Sequence, residues 1–170
     1  NEWMQVAVSY DQINSKASIL INGNKNDDER GSVSIPKFEN PTAYLGNNKD
    51  NDAVFAGEVA ELQLWNKSLS QDELVESIRD EDLEKQLDLT GLWKAEVTGF
   101  QNYKASETNH GIIQGVPSYV KTSPFGDHMF SQKFRQGTDD RVQINFDPSK
   151  DLESWTLELW AKPYQTETLG

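Results

Sequence analysis

Several groups of residues in this chain carry side chains suited to chemistry, and each group sets a geometric requirement. Glycan cleavage needs two carboxylates on one strand face, turned toward a cleft. The candidate pairs are Glu58 with Glu61 and Glu153 with Glu158, three and five residues apart. Side chains alternate along a strand, so odd spacings send the two carboxylates to opposite faces. The chain therefore reads as a non-enzyme. Oxygen ligands are better represented. Asn47, Asn48, Asp50 and Asp52 crowd one loop, Asp139 and Asp140 sit at a turn, and Asp27, Asp28 and Glu29 form a third cluster. Calcium prefers such hard oxygens, which makes it the candidate cofactor, although the first loop lacks the Gly and Glu of an EF-hand. The plainer alternative is that acidic loops keep a surface protein soluble. Trp65 and Trp160 fall on the opposite parity from the main apolar face of their strands. An exposed indole there would stack on a sugar; a covered one would belong to packing.

Other chemistries are excluded by composition. The chain has no cysteine, which removes disulfides, thiolate metal sites and Cys nucleophiles. His110 and His128 are too few for a multi-histidine zinc site. The formal charge is −12, with 18 acidic and 8 basic residues among residues 1–90. Such a surface repels phosphate backbones, so nucleic acid is not an expected partner. No apolar run has the length of a membrane span. Asn1 is not an initiator methionine and no signal-like segment follows it, so a mature product or a piece of a longer protein is expected. Asn66-Lys67-Ser68 matches a glycosylation sequon, a short motif that has no meaning in a bacterial protein.

The elements that must position these residues are mostly strands. Trp3 to Tyr10 alternates, and Ala17 to Asn22 ends in Asn22-Gly23, a strong hairpin signal. Val33 with Ile35, Ala43 to Gly46, and Val59 to Trp65 follow, the last with Ala60, Leu62 and Leu64 on one face. Ser70 with Glu73 forms a capping box that opens a helix. Its apolar stripes, Leu74 with Ile78 and Leu83 with Leu87, are offset, which predicts a kink or restart near Asp80. Strand patterns resume at Leu92-Trp93, Gly111 to Val116, Tyr119-Val120 and Met129 to Phe134. A turn at Gly137 to Asp140 leads into Val142, Ile144 and Phe146, and Trp155 to Ala161 alternates again. Many short alternating strands with turns between them predict an antiparallel sandwich.

Three stretches carry a family pattern. The first runs from Trp3-Met4-Gln5-Val6-Ala7-Val8-Ser9-Tyr10-Asp11 to Leu20-Ile21-Asn22-Gly23 and Tyr44-Leu45-Gly46-Asn47. The second is the sixteen residues from Phe55 to Ser70, with Ala60 where the pattern has Asp. The third comprises Leu89-Thr90-Gly91-Leu92-Trp93, then Phe134 with Gly137 to Val142, then Trp155 to Pro163. Together they resemble the laminin-G-like, concanavalin-A-like jelly-roll domains. The resemblance implies an all-β antiparallel sandwich with one short helix and linker around residues 70–88. The motif order is unusual. Residues 1–88 are similar to the C-terminal half of such a sandwich and residues 89–170 to the N-terminal half, so tandem repeats, a circular permutant and a domain swap all remain open.

The implied role is a non-catalytic extracellular or cell-surface adhesion or structural repeat. It would assemble with neighbouring repeats or copies of itself in a surface layer, matrix or filament. The alternative is a calcium-dependent lectin-like domain that binds a glycan or a surface protein, since calcium in this family often sits at a sandwich edge. A glycoside hydrolase is the distant third, because the superfold includes glucanases but the E-x-D-x-x-E run of those enzymes is missing.

Overall fold

A computed structural model of the chain describes residues 2–25, 42–50, 52–78, 82–104, 109–126, 129–135, 138–146 and 152–164. Asp27, Asp28 and Glu29, the strand at Val33 and Ile35, Asp80 and Gly137 lie outside the described residues. In chain order the elements are β1 (Met4–Asp11), β2 (Lys16–Ile21), β3 (Asn24–Lys25), β4 (Thr42–Leu45), β5 (Gly57–Trp65) and α1 (Gln71–Ser77). A 3-10 turn (Leu83–Lys85) follows, then β6 (Leu89–Glu96), β7 (Gly99–Asn102), β8 (Ile112–Gln114), β9 (Ser118–Val120), β10 (Ser131–Phe134), β11 (Arg141–Asn145) and β12 (Trp155–Pro163).

The large antiparallel sheet runs β3-β2-β1-β12-β5. The far edge of β5 is then shared: Gly57–Val59 pair with β10, and Glu61–Trp65 pair with β6. The small sheet is β4-β11-β8. Strands from both halves of the sequence therefore share one sheet. β12 lies between β1, from Met4↔Ala161 to Tyr10↔Trp155, and β5, from Thr156↔Trp65 to Pro163↔Gly57. The Asn22-Gly23 pair makes the β2–β3 hairpin with φ of 52° and 71°, the left-handed conformation such two-residue turns require.

Two apolar clusters sit on the two sides of the large sheet. Between the sheets, Val59, Leu62, Leu64, Trp93, Phe100, Phe134, Val142 and Ile144 are buried together. On the outer side, Leu20, Trp65, Leu69, Leu74, Leu83, Leu89 and Leu92 pack beneath α1 and the 3-10 turn. The expected capping box forms: Ser70 Oγ accepts from the Glu73 N–H, and Glu73 Oε2 accepts from the Ser70 N–H at 2.8 Å. The second expected stripe is corrected. Leu83 is buried but Leu87 is 95% exposed, because the chain leaves the helical path after Lys85.

Gly46 holds the small sheet close to β10. Its φ is +92°, and a Cβ there would stand 2.2 Å from Phe134 Cδ1 and 2.8 Å from the Asp140 carbonyl. Gly46→Ala should lower unfolding free energy by more than about 1 kcal/mol. Urea denaturation checks this, and an unchanged midpoint would contradict the close approach of these strands.

Candidate functional site

The outer face of the large sheet is where the acidic and aromatic residues meet. Trp160 faces Glu61, yet the next residue, Ala161, faces Val59, so Ala60 is an extra residue in β5. This is a β-bulge, and it resets the alternation of side chains. Directly opposed residues of two strands share a face. Glu61 therefore lies on the face of Trp160, and Glu58, opposite Lys162, lies on that same face. The strict-alternation argument that sent Glu58 and Glu61 to opposite faces fails at Ala60. For the same reason Val59, not Ala60, joins Leu62 and Leu64 between the sheets.

The three carboxylates of this face have different fates. Glu58 accepts from Thr122 Oγ1 at 2.5 Å, Ser131 Oγ at 2.9 Å, Lys162 Nζ at 3.2 Å and Tyr164 Oη at 2.5 Å. Burial pushes its pKa up, but these four donors outweigh it and hold Glu58 below the usual carboxylate range. Such a saturated carboxylate is a structural tie. Glu61, 4% exposed, accepts from Gln63 Nε2 at 2.6 Å and lies 3.7 Å from Lys94 Nζ. Burial raises its pKa against the pull of Lys94.

Glu158 is fully buried beneath α1. Gln5 Nε2 donates to its Oε1 at 2.7 Å, and Ser77 Oγ lies 3.3 Å from its Oε2. The Ser77 hydroxyl also lies 2.8 Å from the Leu74 carbonyl. A hydroxyl has one proton to give. Donated to the carbonyl, it leaves the Ser77–Glu158 contact to a proton on Glu158. Burial first, and then the nearby Glu61 charge, push the Glu158 pKa up to about 7.

The two tryptophans part company. Trp65 is 5% exposed and packs in the outer apolar cluster, with its Nε1 donating to Gln63 Oε1 at 3.0 Å. It borders a cleft of about 280 Å³ next to Lys67 and Glu73, which are themselves paired at 2.9 Å. Trp160 is half-buried and lines a second cavity of about 180 Å³ together with Glu61, Gln63, Lys94 and Phe125. Phe125 meets the indole edge-to-face, 5.5 Å between centroids at 74°. The Trp160 Nε1–H is buried and finds no hydrogen-bond partner among the described residues. Lys94 and Phe125 come from elements remote from β12 in sequence, and no local pattern marks them. The polar parity of Gln5, Gln63 and Glu158 was the available signal.

Residues 1–75 match the family model of the Concanavalin A-like lectin/glucanases superfamily, of laminin G type. The match covers 75 of the 170 residues and supports a laminin-G-like jelly-roll domain there. No curated protein and no solved structure matches the chain. The matched segment holds Glu58, Glu61, Gln63 and Trp65, whereas Lys94, Phe125, Glu158 and Trp160 lie beyond it.

The sandwich brings two of the expected calcium loops to one corner. Asn47 Nδ2 donates to the Thr138 carbonyl at 3.3 Å, and Arg141 donates to the carbonyls of Asn48 and Lys49 at 3.0 and 3.1 Å. Asn48 Oδ1 accepts from the backbone N–H groups of Asp50 and Asp52, and Asn48 Nδ2 donates to Asp52. Asp139 is exposed. Asp140 is buried and accepts from Arg135 Nε at 3.0 Å and the Val116 N–H at 2.8 Å. Burial raises the Asp140 pKa, but Arg135 and these donors hold it below the carboxylate range. The Asp140 carboxylate and the Asn48 and Lys49 carbonyls thus face guanidinium groups. Among the described residues no group of three His, Asp or Glu side chains is placed to hold a metal.

A raised carboxylate pKa stabilises the fold at pH values below the unfolded pKa, and that contribution is lost as pH rises through the folded one. For Glu158 the window runs from 4.5 to about 7, a contribution of roughly 3 kcal/mol. Gln5, Ser77 and Glu61 are the described groups that face it. Glu158→Gln mimics the protonated form, so it should match the wild type near pH 4.5 and be the more stable protein above pH 7. Parallel stability curves for the two proteins between pH 4.5 and 8.5 would show that Glu158 is ordinarily ionised.

Proposed function

We propose that this laminin-G-like chain is a non-catalytic binding module that holds a hydroxyl-rich ligand, such as one unit of a glycan, against Trp160. The observation that carries the reading is the buried, unpartnered Nε1–H of Trp160 in the wall of a cavity that also holds the Glu61 carboxylate. A donor and an acceptor on residues that line one small space, with an aromatic pair beside them, suit the alternating polar groups and C–H faces of a sugar. Catalysis is disfavoured by the carboxylates themselves. Glu58 is saturated by four donors and Glu158 has no solvent access, so neither stands ready beside Glu61 as a partner for acid–base work. The reading needs no calcium. An extracellular or cell-surface setting suits such a module, and no described helix is long and apolar enough to cross a membrane.

A second reading, assembly with copies of the same chain, has its own observation. β8 and β9 are edge strands, and Ile112, Ile113, Val116 and Tyr119 are exposed on and between them. Edges of this kind invite pairing with another chain.

Trp160→Ala should weaken binding to the best ligand on a glycan array by at least about ten-fold while leaving the far-UV spectrum unchanged. Trp65→Ala should instead unfold or destabilise the protein by about 3–5 kcal/mol. Glycan binding that survives Trp160→Ala would remove the pocket from the account. Concentration-dependent association without any ligand would favour the assembly reading.

A further inference from the structure

Among the described residues that line the Trp160 cavity, carboxylates outnumber ammonium groups. Glu61 and Glu84 both line it, and Glu158 stands close enough to Glu61 for the two charges to oppose each other. Among the described residues Lys94 is the one ammonium in the wall; it sits 3.7 Å from Glu61 Oε2, longer than a close ion pair, and also lies 5.4 Å from the centre of the Tyr103 ring. Glu61 is 4% exposed, and with Gln63 at 2.6 Å and Lys94 at 3.7 Å as its partners its charge stays costly to bury. Burial already pushes its pKa upward. A cation delivered by a ligand would relieve both the desolvation and the repulsion. Phe125 and Trp160 stand nearly perpendicular, so an aromatic edge and an aromatic face border the same space. Aromatic faces attract ammonium groups. The Trp160 Nε1–H, by contrast, is a buried donor without an acceptor among the described residues.

We infer that the Trp160 cavity selects a ligand carrying a primary ammonium next to a hydroxyl or ether oxygen, as in an unacetylated amino sugar. The ammonium donates to Glu61 and lies near Glu84, while the neighbouring oxygen accepts from Trp160 Nε1–H. A volume of about 180 Å³ takes one ring rather than a chain of them. Neutral sugars leave the acidic wall uncompensated, and an N-acetyl group removes the charge. The inference rests on the reading of this cavity as a ligand site and adds the charge of the ligand to it.

Isothermal titration calorimetry of the full chain with glucosamine, N-acetylglucosamine, glucose and 1,5-diaminopentane tests it. Glucosamine should bind at least ten-fold tighter than the two neutral sugars. Glu84→Gln, at an exposed position, should reduce that preference several-fold, and Glu61→Gln should abolish it if the variant folds. Binding of the diamine and glucosamine without the neutral sugars supports the ammonium site even if a glycan is not the natural ligand. Equal affinity for all three sugars overturns the ammonium preference and leaves the sugar-binding reading standing. Absence of binding by every probe overturns both.

Discussion

The architecture depends on the two ladders of β12. This strand comes last among the described elements, yet it lies in the middle of the large sheet, hydrogen-bonded to β1 on one side and to β5 on the other. Without it β1, β2 and β3 would be cut off from β5, and two rows of backbone donors and acceptors would lose their partners. Buried backbone groups are almost always paired, so the strand's position is a strong constraint. It also fixes the outer face. Thr156, Glu158, Trp160 and Lys162 alternate along β12 and bring their partners on β1 and β5 into one layer.

That outer layer explains why a helix can sit on a polar sheet. Thr156 Oγ1 accepts from the Leu69 N–H at 2.8 Å and lies within hydrogen-bond distance of the Ser9 hydroxyl and the Lys67 carbonyl. Gln5 Nε2 reaches both Glu158 and the Leu74 carbonyl. The segment before α1 and the helix itself are thereby tied to the strands by directional bonds, while Leu74 and Leu69 supply the apolar contact. Each bond contributes about 1 kcal/mol, but leaving any of these buried groups unmatched costs more. At the Trp160 end of the same layer Ser77 and Ile78, at the end of the helix, line the cavity together with Phe125. The cavity and the helix anchor are thus two ends of one polar surface, which is why its electrostatics reach the site.

Much of the fold was legible because its signals are local. Asn22-Gly23, the Ser70–Glu73 capping box and the alternation around Val142 and Ile144 each encode their element within a few residues. The family pattern added the sandwich. What sequence could not carry was the bulge at Ala60, since one extra residue changes the face of Glu58 without leaving a mark in the alternation of Val59 to Trp65. Nor could it tell Trp65 from Trp160: both have outward parity, and only the position of α1 decides which is covered. The oxygen-rich loops show a related limit: Arg135, which pairs with Asp140, and Arg141, which holds the Asn48 carbonyl, look in sequence like ordinary surface residues.

Amide hydrogen exchange on a sample shown to be monomeric by light scattering is the most direct test of the central claim. The account predicts that the amides of β12 exchange as slowly as those of β5, with rates independent of protein concentration, because one chain supplies both ladders. Rapid exchange of Thr156 to Ala161 in the monomer, slowing only as copies associate, would contradict it and place the partner of β12 on another chain.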